Sequence, residues 1–146
     1  HMSKDETVKI LAVLKAAYPN FYKNLSAQDA TGVINLWTLQ FKSVPVDIVY
    51  LAVTKLIATN VFPPTIAEVK KKLRSMYGEA VGELISHDLD TDKRNAFKRI
   101  ARYTRCVEQE PTLSDLCERG GKIEAHDQQQ GYMSFLQARG QSGNLL

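Results

Sequence analysis

The sequence predicts an all-α protein, in which a small antiparallel helical bundle is followed by additional helices and a partly flexible C-terminal segment. Apolar residues recur at helical spacing in four successive segments of the first half. A helix-capping signature precedes several of these segments, and no segment alternates apolar and polar residues for long. With 146 residues and 44% hydrophobic content, the chain can bury the core of one compact domain.

The first two helices are predicted from their start signals. Ser3 with Glu6 three residues later has the pattern of a capping box, and Pro19 disfavours helical geometry at Tyr18. Ser26 with Asp29 gives the second start signal. The apolar stripes that follow the two signals are Ile10, Leu11, Leu14, Ala17 and Tyr18, and then Ala30, Val33, Ile34, Trp37 and Phe41.

The third and fourth helices flank a turn with clear local chemistry. Pro45 suits the start of the third helix, whose apolar face runs from Val46 to Ile57. Asn60 is suited to end that helix, and two prolines at 63–64 prevent its continuation. Thr65 and Glu68 then form a second capping box. We expect the fourth helix to end at Gly78.

Beyond Gly78 the signals are weaker. Residues 79–89 are predicted to form a short helix interrupted by Gly82, and Asp90 or Thr91 caps a stronger helix that runs to about Gln109. Another short helix is expected between Thr112 and Gly121. We therefore divide the chain into an N-terminal helical bundle domain (3–77), an additional helical segment (79–120) and a flexible or partner-ordered C-terminal segment (121–146).

The C-terminal segment contains one amphipathic island in a polar, glutamine-rich context. Tyr132, Phe135 and Leu136 stand at i, i+3 and i+4, the spacing of an amphipathic helix that docks into a groove of a partner. Packing of the island back onto its own domain is an equal alternative. Because its surroundings are so polar, we expect this region to be mobile alone and ordered by a partner or a neighbouring chain.

A basic face is predicted on the helix that follows Asp90. Arg94, Lys98, Arg102 and Arg105 recur at intervals of four, four and three residues, and Arg99 flanks them. Such a row can contact phosphates, but it is also typical of a solvated helix face. We rank a solvated face or an acidic protein partner ahead of DNA. The cluster formed by Lys70, Lys71, Lys72 and Arg74 receives the same interpretation.

The sequence disfavours catalysis, a metal site and membrane insertion. It contains no glycine-rich phosphate loop and no nucleophile elbow, so we expect no enzyme activity and no cofactor. His87, Cys106, Cys117 and His126 lack the tight pair of ligands typical of structural zinc sites. No apolar run approaches the ~20 residues of a membrane-spanning helix. We expect a cytoplasmic protein with reduced cysteines.

Several of these motifs together resemble a known family. The chain is similar to the N-terminal domain of phage replicative-helicase loader/inhibitor proteins over roughly residues 5–77. The residues that carry the resemblance are Ala16 to Tyr22, Leu36-Trp37, Val44-Pro45 and Ala58 to Val69. Their order and spacing together are more specific than any one of them alone.

The resemblance implies a non-enzymatic adaptor for DNA replication. Members of this family bind a hexameric DnaB-type helicase, restrain it in solution and help to deliver it to an origin complex. The partner would be a host or phage helicase, with an origin-binding phage protein as a further candidate. The family's C-terminal part is implicated in helicase contact, which agrees with a role for Tyr132, Phe135 and Leu136.

Two other functions are compatible with the residues. The first is a small helical DNA-binding replication or regulatory protein that uses the Arg94–Arg105 face on phosphates. The second is an oligomeric scaffold in which the C-terminal island pairs with another copy of the chain.

Overall fold

The structure is a computed structural model that describes residues 2–86 and 88–111. The described residues form helices joined by short connections, and no strand occurs among them. This confirms the predicted all-α class. The helices are α1 (Lys4–Ala17), α2 (Pro19–Tyr22), α3 (Ala27–Gln40), α4 (Val46–Ile57), α5 (Ile66–Ser86) and α6 (Thr91–Glu108).

Helices α1, α3 and α6 begin directly after residues whose side chains cap them. At α1 the Ser3 side chain accepts a hydrogen bond from the Glu6 N–H, and Glu6 accepts one in return from the Ser3 N–H, as the sequence predicts. Ser26 caps α3, and Asp90 caps α6 through the Lys93 N–H. These bonds satisfy amide groups that have no partner within the helix.

The predicted helix end at Gly78 is wrong, because α5 continues without a break to Ser86. Gly78 and Gly82 are both exposed and lie inside this helix. A glycine costs a helix interior only about 1 kcal/mol relative to alanine. The packing of α5 against α6, with Ala80 buried between the two glycines, outweighs that cost.

The core lies where α1, α3, α4 and α5 meet. Its largest fully buried side chains include Phe41, Ile10 and Leu14, and α4 contributes the buried residues Ile48, Val49, Ala52 and Val53. Trp37 and Phe41 are both buried, as predicted, with ring centroids 5.4 Å apart. The α1–α3 contact also holds a polar pair, in which the hydroxyls of Thr7 and Thr38 lie 2.7 Å apart.

Helix α6 closes one side of this core. It packs along α5, and its buried residue Val107 belongs to the same apolar cluster as the side chains of α1 and α4. Ile100 and Tyr103 pack against that cluster from α6. Helix α5 therefore runs through position 78, and residues before and after this position belong to one core. The division of the chain at 77/79 and at 120/121 stays a prediction about its folding units.

Within the part of the chain that the structure describes, none of the helices is both long enough and apolar enough to cross a membrane.

Candidate partner-binding surfaces

The basic face of α6 lies on the side of that helix away from the core. At roughly 100° per residue, Lys98 stands opposite the residues that α6 turns inward, Ile100 and Val107. Lys98, Arg102 and Arg105 are exposed and Arg94 is half-buried. Within residues 2–86 and 88–111, none of these four side chains forms an ion pair. They leave a row of four positive charges toward solvent.

Arg99 differs from the other basic residues because its charge is already paired. Its guanidinium donates hydrogen bonds to both carboxylate oxygens of Asp47 at the start of α4, and one of these measures 3.1 Å. The hydrogen bond to Asp47 raises the pKa of Arg99. The guanidiniums of Arg99 and Arg102 lie 5.4 and 5.3 Å from the centroid of the Tyr103 ring. Arg99 therefore fastens α6 to α4.

The basic cluster of α5 is also partly structural. Lys70 pairs with Glu110 at 3.1 Å, and Arg74 lies 3.9 Å from the same carboxylate. The Arg74 Nε–H donates to the carbonyl oxygen of Val107 in the last turn of α6. Positive charge at the C-terminus of a helix is favourable. Two of the four residues in this cluster thus hold the end of α6, and Lys71 is exposed.

An apolar patch is exposed where α2 meets the turn between α4 and α5. The patch consists of Phe21, Val61 and Phe62, of which Val61 is 81% and Phe62 is 66% exposed. The rings of Phe21 and Phe62 meet edge to face with centroids 5.7 Å apart. The neighbouring Tyr22 packs against the core, whereas Phe21 lies at the surface.

A hydrogen-bonded turn supports this patch. The Tyr18 hydroxyl donates to the Asn60 carbonyl oxygen at 2.9 Å, and the Asn60 side-chain amide donates to Glu68 at 2.9 Å. Glu68 also accepts from the Thr65 N–H, while the Thr65 hydroxyl accepts from the Glu68 N–H. This is the predicted capping box of the helix after the prolines. The turn presents Phe62 on a fixed backbone.

Burial affects the chemistry of the two tyrosines below the patch. The pKa of Tyr18 is raised above its ordinary value of 10.0, first by desolvation and then by the negative charge of Glu68. The pKa of Tyr22 is raised by burial and by its proximity to Tyr18. Both shifts favour the neutral phenol, so Tyr18 keeps the proton that it donates to Asn60.

An open groove separates the end of α5 from the first half of α6. Its apolar lining comes from Leu89, Ala96, Phe97 and Ile100, and its polar lining from Glu83, Asp88 and Lys93. The exposed side chain of Ile85 lies on the last turn of α5, the helix that borders this groove.

Some of the predicted site residues lie outside the described residues. Tyr132, Phe135 and Leu136 do, as do His87, Cys117 and His126 of the four metal-ligand types considered above. Cys106 is described and exposed, with its sulfur 3.2 Å from the Tyr103 carbonyl oxygen. The helicase-contact assignment of the C-terminal island stays a prediction.

The fold and these surfaces define a small all-helical domain with a capped turn, an exposed aromatic patch and a basic helix face. A comparison with protein-family models matches residues 2–70 to the N-terminal domain of the phage helicase loader/inhibitor family. This match confirms the resemblance that the sequence predicts, over slightly less than half of the chain. None of the curated proteins and none of the solved structures compared matches the chain.

Proposed function

We propose that this protein is a phage DNA-replication adaptor that binds a hexameric DnaB-type replicative helicase and regulates its loading or activity. The observation that carries the proposal is the family match over residues 2–70. A phage origin-binding protein is a further candidate partner, and the host cytoplasm is the expected location.

The architecture is suited to an adaptor. Helices α1 to α5 share one packed core, and a chain of 35 residues follows Pro111 in the sequence. In that chain Tyr132, Phe135 and Leu136 have the spacing of a groove-binding helix. We assign helicase contact to these three residues. A segment that becomes ordered only on its partner binds with modest affinity for its area, which permits release during hand-off.

Such a protein needs no catalytic residue of its own. A ligand shifts an equilibrium between two states of its partner only through its difference in affinity for them. Moving a helicase from 1:99 to 99:1 in favour of one state requires a preference of about 10⁴-fold for that state. The nucleotide state of the helicase would then decide when the adaptor is held and when it leaves.

The direct test is size-exclusion chromatography with light scattering on the full chain mixed with the host or phage helicase, with and without ATP. We expect a nucleotide-dependent complex whose mass gives the stoichiometry. The protein alone, run in parallel, reports any self-association and so tests the scaffold alternative. Absence of a complex with either helicase under both conditions would refute the proposal.

A pair of triple variants tests the contact assignment. Replacement of Tyr132, Phe135 and Leu136 with alanine should weaken helicase binding at least tenfold, because the buried apolar anchors are lost. Replacement of Gln128, Gln129 and Gln130 with alanine changes as many residues in the same segment and should leave the affinity near that of the wild type. Equal affinities for the two variants would show that the island is not the contact.

A further inference from the structure

We infer that the basic face of α6, formed by Arg94, Lys98, Arg102 and Arg105, binds the phosphate backbone of DNA without sequence preference. This activity is separate from helicase binding and would let the adaptor contact the strand onto which a helicase is placed. The inference depends on the position, charge and surroundings of these four side chains.

The first supporting observation is that the centre of the face carries positive and uncharged side chains. At 100° per residue the remaining side chains on this side are Thr91, Asn95 and Ala101 of α6 and Gln109 just after it, which are all uncharged. The acidic residues of the helix, Asp92 and Glu108, lie toward its two flanks. A phosphate that approaches the centre of the face therefore meets positive charges and neutral hydrogen-bonding groups.

The second observation is that several neighbouring basic residues form ion pairs, whereas these four form none among the residues that the structure describes. Arg99 is held by Asp47, and Lys70 and Arg74 are held by Glu110. These four side chains share the side of α6 that lies away from the core. Unpaired cations in a row give the electrostatic footprint of a nucleic-acid surface.

The third observation concerns dimensions and rigidity. The face runs from Arg94 to Arg105, which is about 17 Å along the axis at ~1.5 Å per residue. On one strand of duplex DNA the phosphates are spaced about 3.4 Å along the helix axis. A face of this length can therefore contact several phosphates at once. Helix α6 is fixed by its packing on α5 and by the Arg99–Asp47 pair, so the four charges are held in register before binding.

The test uses fluorescence anisotropy of the full chain with labelled single-stranded and duplex DNA of mixed sequence at about 50–200 mM salt. Four phosphate contacts predict a log–log slope of about −3.6 on duplex, which corresponds to roughly a 100-fold loss of affinity over this range. Single-stranded DNA should give a shallower slope of about −2.8. Binding to either form with such a slope supports the inference, and the two arms show which form is preferred.

Two variants with equal loss of charge decide whether the face is responsible. Lys98→Gln with Arg102→Gln should reduce the magnitude of the salt slope by about 2. Binding then releases about one counterion fewer for each cation that has been removed. Lys9→Gln with Lys15→Gln removes two exposed charges from α1 and should leave the slope unchanged. Circular dichroism and the melting temperature verify that both variants are folded.

Three outcomes would overturn the inference. The first is no binding to either DNA at the lowest salt concentration. The second is the same loss in both variants, which would mean a diffuse effect of net charge. The third is binding to poly-glutamate, with the same dependence on Lys98 and Arg102, but not to DNA, which would identify an acidic protein as the partner.

Discussion

Tyr18 is the residue at which packing, hydrogen bonding and ionisation are most closely connected. Its ring is buried, and its hydroxyl reaches the carbonyl oxygen of Asn60, 42 residues away. The bond fixes the turn that presents Phe62 and places the phenol near Glu68. Because the phenolate would be both desolvated and repelled by that carboxylate, the folded state prefers the protonated form.

This preference predicts a loss of stability at alkaline pH. The pKa of Tyr18 is raised in the folded state above 10.0, so its contribution is complete below pH 10 and is lost as the pH rises through the raised value. Tyr18→Phe should cost about 1 kcal/mol at pH 7 and should make the alkaline decline less steep. Urea unfolding at pH 7 to 11 measures both effects.

The exposed tyrosine of α4 provides the control for this experiment. Tyr50→Phe removes a hydroxyl from a side chain at the surface and should change the free energy of unfolding little at pH 7. If Tyr18→Phe and the wild type declined equally above pH 10, the alkaline loss would belong to other groups. Tyr22, whose pKa is also raised, would then be the next residue to replace.

Two phenylalanines distinguish the exposed patch from the core. Phe41 is fully buried beside Trp37, and Phe41→Ala should cost about 3–5 kcal/mol in the free energy of unfolding. Phe62→Ala removes a ring that is mostly in water and should cost less than about 1 kcal/mol. Chemical denaturation of both variants measures the difference. A cost for Phe62 similar to that for Phe41 would mean that the patch is part of the packed structure.

At the scale of the helix, α5 shows how packing overrides a local signal. Gly78 and Gly82 both suggest an interruption when they are considered alone. In the structure each is helical and exposed, and a Cβ added at either position meets no atom within 4 Å. Each glycine therefore lowers the stability of the helix through its larger loss of conformational entropy on folding, although no neighbouring atom requires a glycine there.

Gly78→Ala and Gly82→Ala should therefore each stabilise the protein by about 0.5–1 kcal/mol. The two positions are i and i+4 on one helix face, so the double variant measures any coupling between the two substitutions. Thermal and urea denaturation provide the measurement. If Gly78→Ala destabilised the protein, Gly78 would adopt the left-handed conformation of a helix end, as the sequence suggests.

Interactions between residues close in sequence could be predicted, and interactions between distant residues could not. Caps at Ser3, Ser26, Thr65 and Asp90 were predictable because a cap and its amide lie three residues apart. The pairing of Arg99 with Asp47 spans 52 residues and has no local signal. The exposure of Phe21 depends in the same way on where α2 meets the turn before α5, so the aromatic patch emerged only from the fold.

At the scale of the whole molecule, α6 and the N-terminal helices contribute to the same core. The family match ends at residue 70, yet α5 runs on to Ser86 and Val107 of α6 is 2% exposed in the common core. A buried side chain that belongs to the same apolar cluster as residues of α1 and α4 cannot leave it without exposing apolar surface. We therefore expect α6 to unfold together with the N-terminal helices.

Val107→Ala tests this expectation. It should destabilise the protein by roughly 1–3 kcal/mol, because it leaves a small cavity in the shared core, whereas Val61→Ala at an 81% exposed position should have almost no effect. Trp37 is the only tryptophan, so its fluorescence reports on the N-terminal bundle, while circular dichroism reports on all helices. If the two signals move together to lower urea in Val107→Ala, one cooperative unit extends through α6. A fluorescence transition that stays unchanged while part of the circular dichroism signal shifts would instead place α6 in a separate folding unit, packed on an independent bundle.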